Sequence, residues 1–156
     1  MTHSKAGIAA VVAGGLLAGL VAPPAGASER LSSFGRSQQI VIRVDKSDQE
    51  MTVYQGARRL YSWPVSTGMA GYDTPVGTYQ PQWFSPNHRS SQYGGAPMPW
   101  AVFFFEGYAI HATDAVGMLG RPASHGCVRL DMQNAAEIYA LLDRVGKDNA
   151  YIVVQD

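Results

Sequence analysis

From Ile40 onward, apolar residues come in short β-branched runs separated by turn-forming residues about every ten positions. Ile40 to Val44 (IVIRV) is followed by the polar stretch Asp45-Lys46-Ser47-Asp48, then Met51 to Tyr54, a turn around Gly56, and Leu60 to Val65. That rhythm predicts a hairpin that extends into a meander. Thr74-Pro75-Val76-Gly77 reads as the next turn, leading into a strand over Thr78 to Phe84. Ser85 to Pro99 (SPNHRSSQYGGAPMP) carries so much polar, Gly and Pro punctuation that it reads as one long loop, a length associated with binding loops and lids. Trp100 to Phe105 (WAVFFF) is continuously apolar and predicts a central strand buried on both faces, with Tyr108 to His111 returning after Glu106-Gly107. One helix stands out. Asp131 can cap it, Ile138, Leu141, Leu142 and Val145 form one stripe at helical spacing, and Gly146 stops it. Tyr151 to Val154 closes the domain as a strand, so the predicted class is mainly β with one packed helix.

The N-terminal pattern differs. Ile8 to Val21 carries no charged or strongly polar side chain, Pro23-Pro24 breaks the run, and Ala25-Gly26-Ala27 supplies a small-residue cleavage pattern. The layout is that of a signal peptide over residues 1–27, cut after Ala27, and the run is short of the roughly 20 apolar residues that span a bilayer. Residues 28–39 are expected to form an irregular leader, and 40–156 the folded domain. The expected product is exported and keeps no stable membrane span after cleavage.

Composition narrows the function. Twelve Lys and Arg against twelve Asp and Glu leave no net charge, so there is no basic footprint for nucleic acid. An apolar content of 46% suffices for a core. The single cysteine, Cys127, excludes an internal disulfide and any multi-cysteine metal cluster. An unpaired thiol in an exported protein points to a reactive role or to pairing between molecules.

Cys127 lies in the densest chemical stretch of the chain, His111 to Arg129; the remaining histidine beyond the N-terminal segment, His88, falls in the long loop. A free thiol is only a few per cent thiolate at neutral pH, and a neighbouring imidazole that takes its proton makes it a strong nucleophile. Either histidine could serve. His125 is two positions before Cys127 and would share its side of a strand unless Gly126 bends the chain. His111 ends a predicted strand, and spacing leans slightly towards it. Gly126 permits a tight turn that exposes backbone amides for an oxyanion, and Arg129 could clamp a substrate carboxylate. Zinc on His111, His125 and Cys127 is the competing reading, but Ser-His-Gly-Cys matches no usual ligand spacing, so no metal is assigned.

Ser124-His125-Gly126-Cys127-Val128-Arg129, with His111 upstream, resembles the signature of the L,D-transpeptidase catalytic domain (YkuD type). Val65-Ser66-Thr67-Gly68 and Thr74-Pro75-Val76-Gly77-Thr78-Tyr79 resemble further segments of that family. The resemblance implies a β-sandwich of mixed sheets with one packed α-helix, residence in the periplasm or cell wall, peptidoglycan stem peptides as substrate, and no cofactor. It makes Cys127 the nucleophile on the third stem residue (diaminopimelate) of a tetrapeptide, with loss of D-Ala and transfer of the acyl group to an amine. That amine would belong to a second stem, giving a 3→3 cross-link, or to a wall-anchored protein. His111 becomes the general base, the Ala112 carbonyl its orienting group, and His125 a secondary partner of the thiolate. The Gly126 and Cys127 amides become the oxyanion hole. Arg129, Ser124 and Tyr93 are expected on the substrate side; the Ser85 to Pro99 stretch that carries Tyr93 is either a lid or a mere connector. The position after the first histidine, often Gly or Ser in the family, is Ala112 here, which leaves a carbonyl role intact. The same thioester could serve an L,D-carboxypeptidase or a D-amino-acid exchange enzyme, and a domain that only binds the wall is the third reading.

Overall fold

A computed structural model describes residues 38–156; the expected signal peptide 1–27, and all but the last two residues of the expected leader 28–39, lie outside the described residues. The first meander forms where the alternation predicts it. Strands β1 (Ile40–Asp45) and β2 (Glu50–Gln55) pair antiparallel with Ile42 opposite Val53 and Val44 opposite Met51, and β3 (Arg58–Pro64) follows β2. Successive side chains on a strand point to opposite faces, so Ile40, Ile42, Val44, Met51 and Val53 all turn inward and are fully buried. The last strand, β9 (Ala150–Gln155), runs parallel to β1 and antiparallel to β4 (Gly77–Tyr79), which gives the order β3-β2-β1-β9-β4.

The second sheet holds β5 (Trp83–Arg89), β6 (Pro97–Phe105), β7 (Tyr108–Ala112) and β8 (Val128–Leu130) in sequence order, the last two parallel. Both sheets are mixed, as expected. Helix α1 (Met132–Val145) packs on β5, β6 and β7. The Asp131 carboxylate accepts the Asn134 N–H at 2.9 Å, and Gly146, at φ 81°, ends the helix. Ile138, Leu141 and Leu142 are buried together with Ala135, while Val145 is half-buried. One cluster joins Ile42 and Ile152 of the first sheet, Phe104, Ile110 and Leu130 of the second, and Ile138 and Leu142 of the helix. Removing any of these large side chains costs about 2–5 kcal/mol.

Two expectations change. The Ser85 to Pro99 stretch is not one long loop: β5 runs on to Arg89 and β6 begins at Pro97, leaving only the Ser90–Ala96 connection. Proline is tolerated here because β5 is an edge strand, and because β7 pairs with β6 only over Val102 to Phe105, so Pro97 and Pro99 lie where β6 has one neighbour. The expected strand Thr78 to Phe84 is two strands, β4 in one sheet and β5 in the other, with Pro81 at the crossing.

On β6, Val102 and Phe104 face the main core, while Ala101 and Phe103 face the other way and form a small second cluster with Met98 and Ala109. Cys127 packs against that second cluster. The outer face of the second sheet is therefore where the chemistry assembles.

Candidate active site

The segment before β8 owes its shape to a strip at residues 65–68. The Gly120 N–H donates to the Val65 carbonyl at 2.8 Å, those of Ala123 and Ser124 donate to the Thr67 carbonyl at 3.0 Å, and Ser66 exchanges two backbone bonds with Arg129. Gln49 fixes the strip from below: its side-chain oxygen accepts the Thr67 N–H at 2.9 Å, and its amide donates to Thr67 Oγ1 at 2.6 Å. Thr74 Oγ1 accepts the Gly68 N–H at 2.9 Å and donates to the Gly126 carbonyl at 2.7 Å. Ser124 Oγ donates to the Cys127 carbonyl at 2.6 Å and accepts the Gly126 N–H at 3.0 Å. Gly126 sits at φ 109°, and a Cβ there would lie 2.4 Å from the Tyr108 ring, so backbone and packing both require glycine.

β7 and β8 are parallel with Ile110 opposite Val128 and His111 opposite Arg129. Alternation sends Ile110 and Ala112 into the main core and leaves Ala109 and His111 on the outer face, beside Cys127. His111 and Cys127 line one cavity of about 510 Å³, together with His125, Arg129, Tyr93 and His88. His111 Nδ1 lies 2.7 Å from the Ala112 carbonyl oxygen. A carbonyl can only accept, so this contact assigns the proton to Nδ1 and leaves Nε2 with its lone pair.

Electrostatics keep both groups neutral at rest. Burial lowers the His111 pKa from 6.5 to about 4; the Ala112 hydrogen bond works against this, and the Arg129 and His88 charges reinforce it. Burial also pushes the Cys127 thiol up, against a hydrogen bond from the Ala109 backbone and the Arg129 charge. Burial thus favours the neutral form of each group.

Among the expected site residues, Ala112 has its carbonyl against the His111 ring. His125 lines the same cavity as Cys127; it is exposed, its ring centroid 4.5 Å from that of Tyr72 and 4.8 Å from that of Tyr93. Tyr93 reaches the cavity from the Ser90–Ala96 connection. Arg129 lines the cavity, with Nη1 donating to the Ala123 carbonyl at 3.2 Å. Two expectations shift. Ser124 is fully buried and spends its hydroxyl inside the loop, a placement that suits bracing and not contact with substrate. The Gly126 N–H is held by that same hydroxyl, so it is not a free donor for an oxyanion. Sequence reasoning missed the Gln49 and Thr74 braces and the Tyr72 contact. The Thr67-Gly68 and Thr74-Pro75 segments were visible as familial, but nothing in their spacing tied them to Cys127.

Two mixed sheets with a cysteine and a carbonyl-oriented histidine in one cavity define the class of β-sandwich domains built around a Cys–His pair. Residues 39–152 match the family described as the L,D-transpeptidase catalytic domain (YkuD), and the chain belongs to that family. Solved structures agree. An L,D-transpeptidase from Mycobacterium smegmatis is 26% identical with a TM-score of 0.67, over 76% of this chain and 59% of that one. One from Stackebrandtia nassauensis is also 26% identical with a TM-score of 0.67, over 76% of this chain and 56% of that one. One from Mycobacterium tuberculosis shares the fold at 23% identity and a TM-score of 0.68, over 76% and 58%. The chain thus spans less than two thirds of the length of these solved proteins. No curated protein matches.

Proposed function

We propose that this chain is a cysteine-dependent L,D-transpeptidase acting on peptidoglycan stem peptides. The observation that carries the reading is the His111 imidazole, its Nδ1 proton committed to the Ala112 carbonyl, in one cavity with the Cys127 thiol. Such an imidazole offers Nε2 as a base at neutral pH. Because the thiol is pushed up and His111 down, proton transfer accompanies attack instead of preceding it.

Sγ of Cys127 attacks the carbonyl of the third stem residue while its proton passes to Nε2 of His111. The tetrahedral oxyanion is met by backbone amide from the loop, a role that falls to Cys127 N–H once Gly126 is committed to Ser124. Collapse breaks the bond to D-Ala, whose amine takes the proton from His111, and leaves a thioester on Cys127. An acceptor amine attacks the thioester, gives its proton to His111 and releases the cross-linked product with the thiol restored. Arg129 supplies positive charge towards the stem peptide. His125, between Tyr72 and Tyr93, lines the approach, and Tyr93 with its connection closes over the donor. Export by residues 1–27 places the reaction outside the cytoplasm.

The test incubates the chain and its Cys127→Ala variant with purified disaccharide-tetrapeptide, followed by mass spectrometry. D-Ala loss with a 3→3 dimer in the wild type alone is the expected result. D-Ala loss with monomeric tripeptide alone would make the chain a carboxypeptidase, and exchange of D-Ala for an added D-amino acid would make it an exchange enzyme. If a wall-anchored protein replaced the second stem as acceptor, the adduct would appear on its lysine. No Cys127-dependent product at all would reduce the domain to wall binding.

A further inference from the structure

The cavity contains a third imidazole that this mechanism does not use. His88 lies on β5 opposite Met98 of β6. Its ring stands edge-on to Trp83 at 5.3 Å and to Phe103 at 4.9 Å, and these two rings are themselves stacked at 3.8 Å. Among the described residues His88 has no hydrogen-bond or ion-pair partner, although Glu106 and Asp114 line the same cavity. No buried side-chain nitrogen or oxygen there is left unpaired, so the free ring nitrogens of His88 meet open space.

Its position depends on an unusual backbone. Strict alternation from Ala101 and Phe103 would send Met98 to the main core. Instead Trp100 adopts a left-handed φ of 57°, keeps its ring in the core 5.4 Å from Tyr139, and turns Met98 to the cavity side. The His88–Met98 pair is thereby presented to the cavity at the cost of a conformation that a bulky L-residue rarely takes. The half-buried His88 ring thus opens its nitrogens onto the cavity beside an apolar aromatic wall, within reach of a bound ligand. Arg129 also lines the cavity, but it is not among the rings of the Trp83–Phe103 wall, and one of its N–H groups donates to the Ala123 carbonyl.

We propose that His88 is a specificity-determining residue that anchors a carboxylate of the donor stem peptide through a ring N–H on the Trp83–Phe103 side of the cavity. The ligand's identity rests on the transpeptidase reading; the vacant donor beside an apolar wall does not. A carboxylate fits because it is acceptor-only, is abundant on a stem peptide, and makes its strongest hydrogen bonds where water is partly excluded. Two sources share that chemistry: the side-chain carboxylate of the third residue and the terminal carboxylate of D-Ala.

The experiment measures binding by calorimetry to the Cys127→Ala chain, with and without His88→Phe, which keeps an aromatic ring against Trp83 and Phe103 but removes the N–H. The ligands are the free tetrapeptide and the same peptide amidated at one carboxylate at a time. The free peptide is expected to bind about tenfold more weakly to the His88→Phe chain, the scale of one hydrogen bond to a charged group. Amidation at the anchored carboxylate should abolish that difference, which identifies the source. An unchanged Kd, or an equal loss for every amidated form, would overturn the proposal and reduce His88 to wall packing. Selective binding without Cys127-dependent product from the wild-type chain would keep the anchor and sink the transpeptidase reading. Product without selectivity would do the reverse, and no binding of any peptide would sink both.

Discussion

Acidification tests the site through the stability of the whole domain. His111 is only 6% exposed, and burial holds its pKa at about 4 against 6.5 when unfolded. Between those values the unfolded chain binds a proton that the folded chain refuses, so stability rises with pH across the window and is lost as pH falls through it. The full shift is worth ~3 kcal/mol, most of it gone by pH 4.5, against a total of roughly 5–15 kcal/mol for a domain. The carboxylate of Asp45 is also held below its ordinary 3.8, chiefly by the Asp48 backbone, so it takes up its proton only below this window. Urea unfolding followed by tryptophan fluorescence at pH 7, 5.5 and 4.5 should show the loss in the wild type. His111→Asn lowers stability outright but should flatten the dependence between 6.5 and 4.5. Parallel curves for the two proteins would refute the claim that burial of a neutral imidazole sets the acid sensitivity. The same shift predicts that the acid limb of kcat/KM falls near pH 4 and not near 6.5, since that ratio reports the free enzyme.

Thr74→Val should cost about 2–4 kcal/mol, because it strands both the Gly68 N–H and the Gly126 carbonyl in the interior, while Thr74→Ser stays within about 1 kcal/mol. Equal urea midpoints for the valine variant and the wild type would remove Thr74 as the link between the two segments. Gly126→Ala combines a left-handed backbone with a methyl group driven into the Tyr108 ring, and should destabilise by roughly 2–5 kcal/mol. A thermal midpoint within 2 °C of the wild type would show that the loop relaxes freely around position 126.

What the sequence made legible was what it encodes locally. Helix α1 announces itself because an aspartate cap, an apolar stripe and a terminal glycine all lie within one short segment, and each acts on the same few turns of backbone. The β1–β2 hairpin is equally local. Cys127 and His111 stand out in the sequence for a different reason: the chemistry proposed for them restricts residue type so sharply that few positions could carry it. The losses come from long-range pairing. Pro86, Pro97 and Pro99 look like loop residues until β5 is known to be an edge and β6 to have one neighbour at that end. The slot of β9 between β1 and β4 depends on strands more than 70 residues distant in the chain, which no local pattern records. His88 joins both lessons. Assigned to a loop, it is an unremarkable polar residue; once Trp100 turns the strand over, it becomes a cavity imidazole set against the Trp83 and Phe103 rings. The pKa shifts at Cys127 and His111 follow the same logic, since burial, and not spacing, pushes the thiol up and the imidazole down. Exclusion of water likewise strengthens the hydrogen bonds made inside such a cavity.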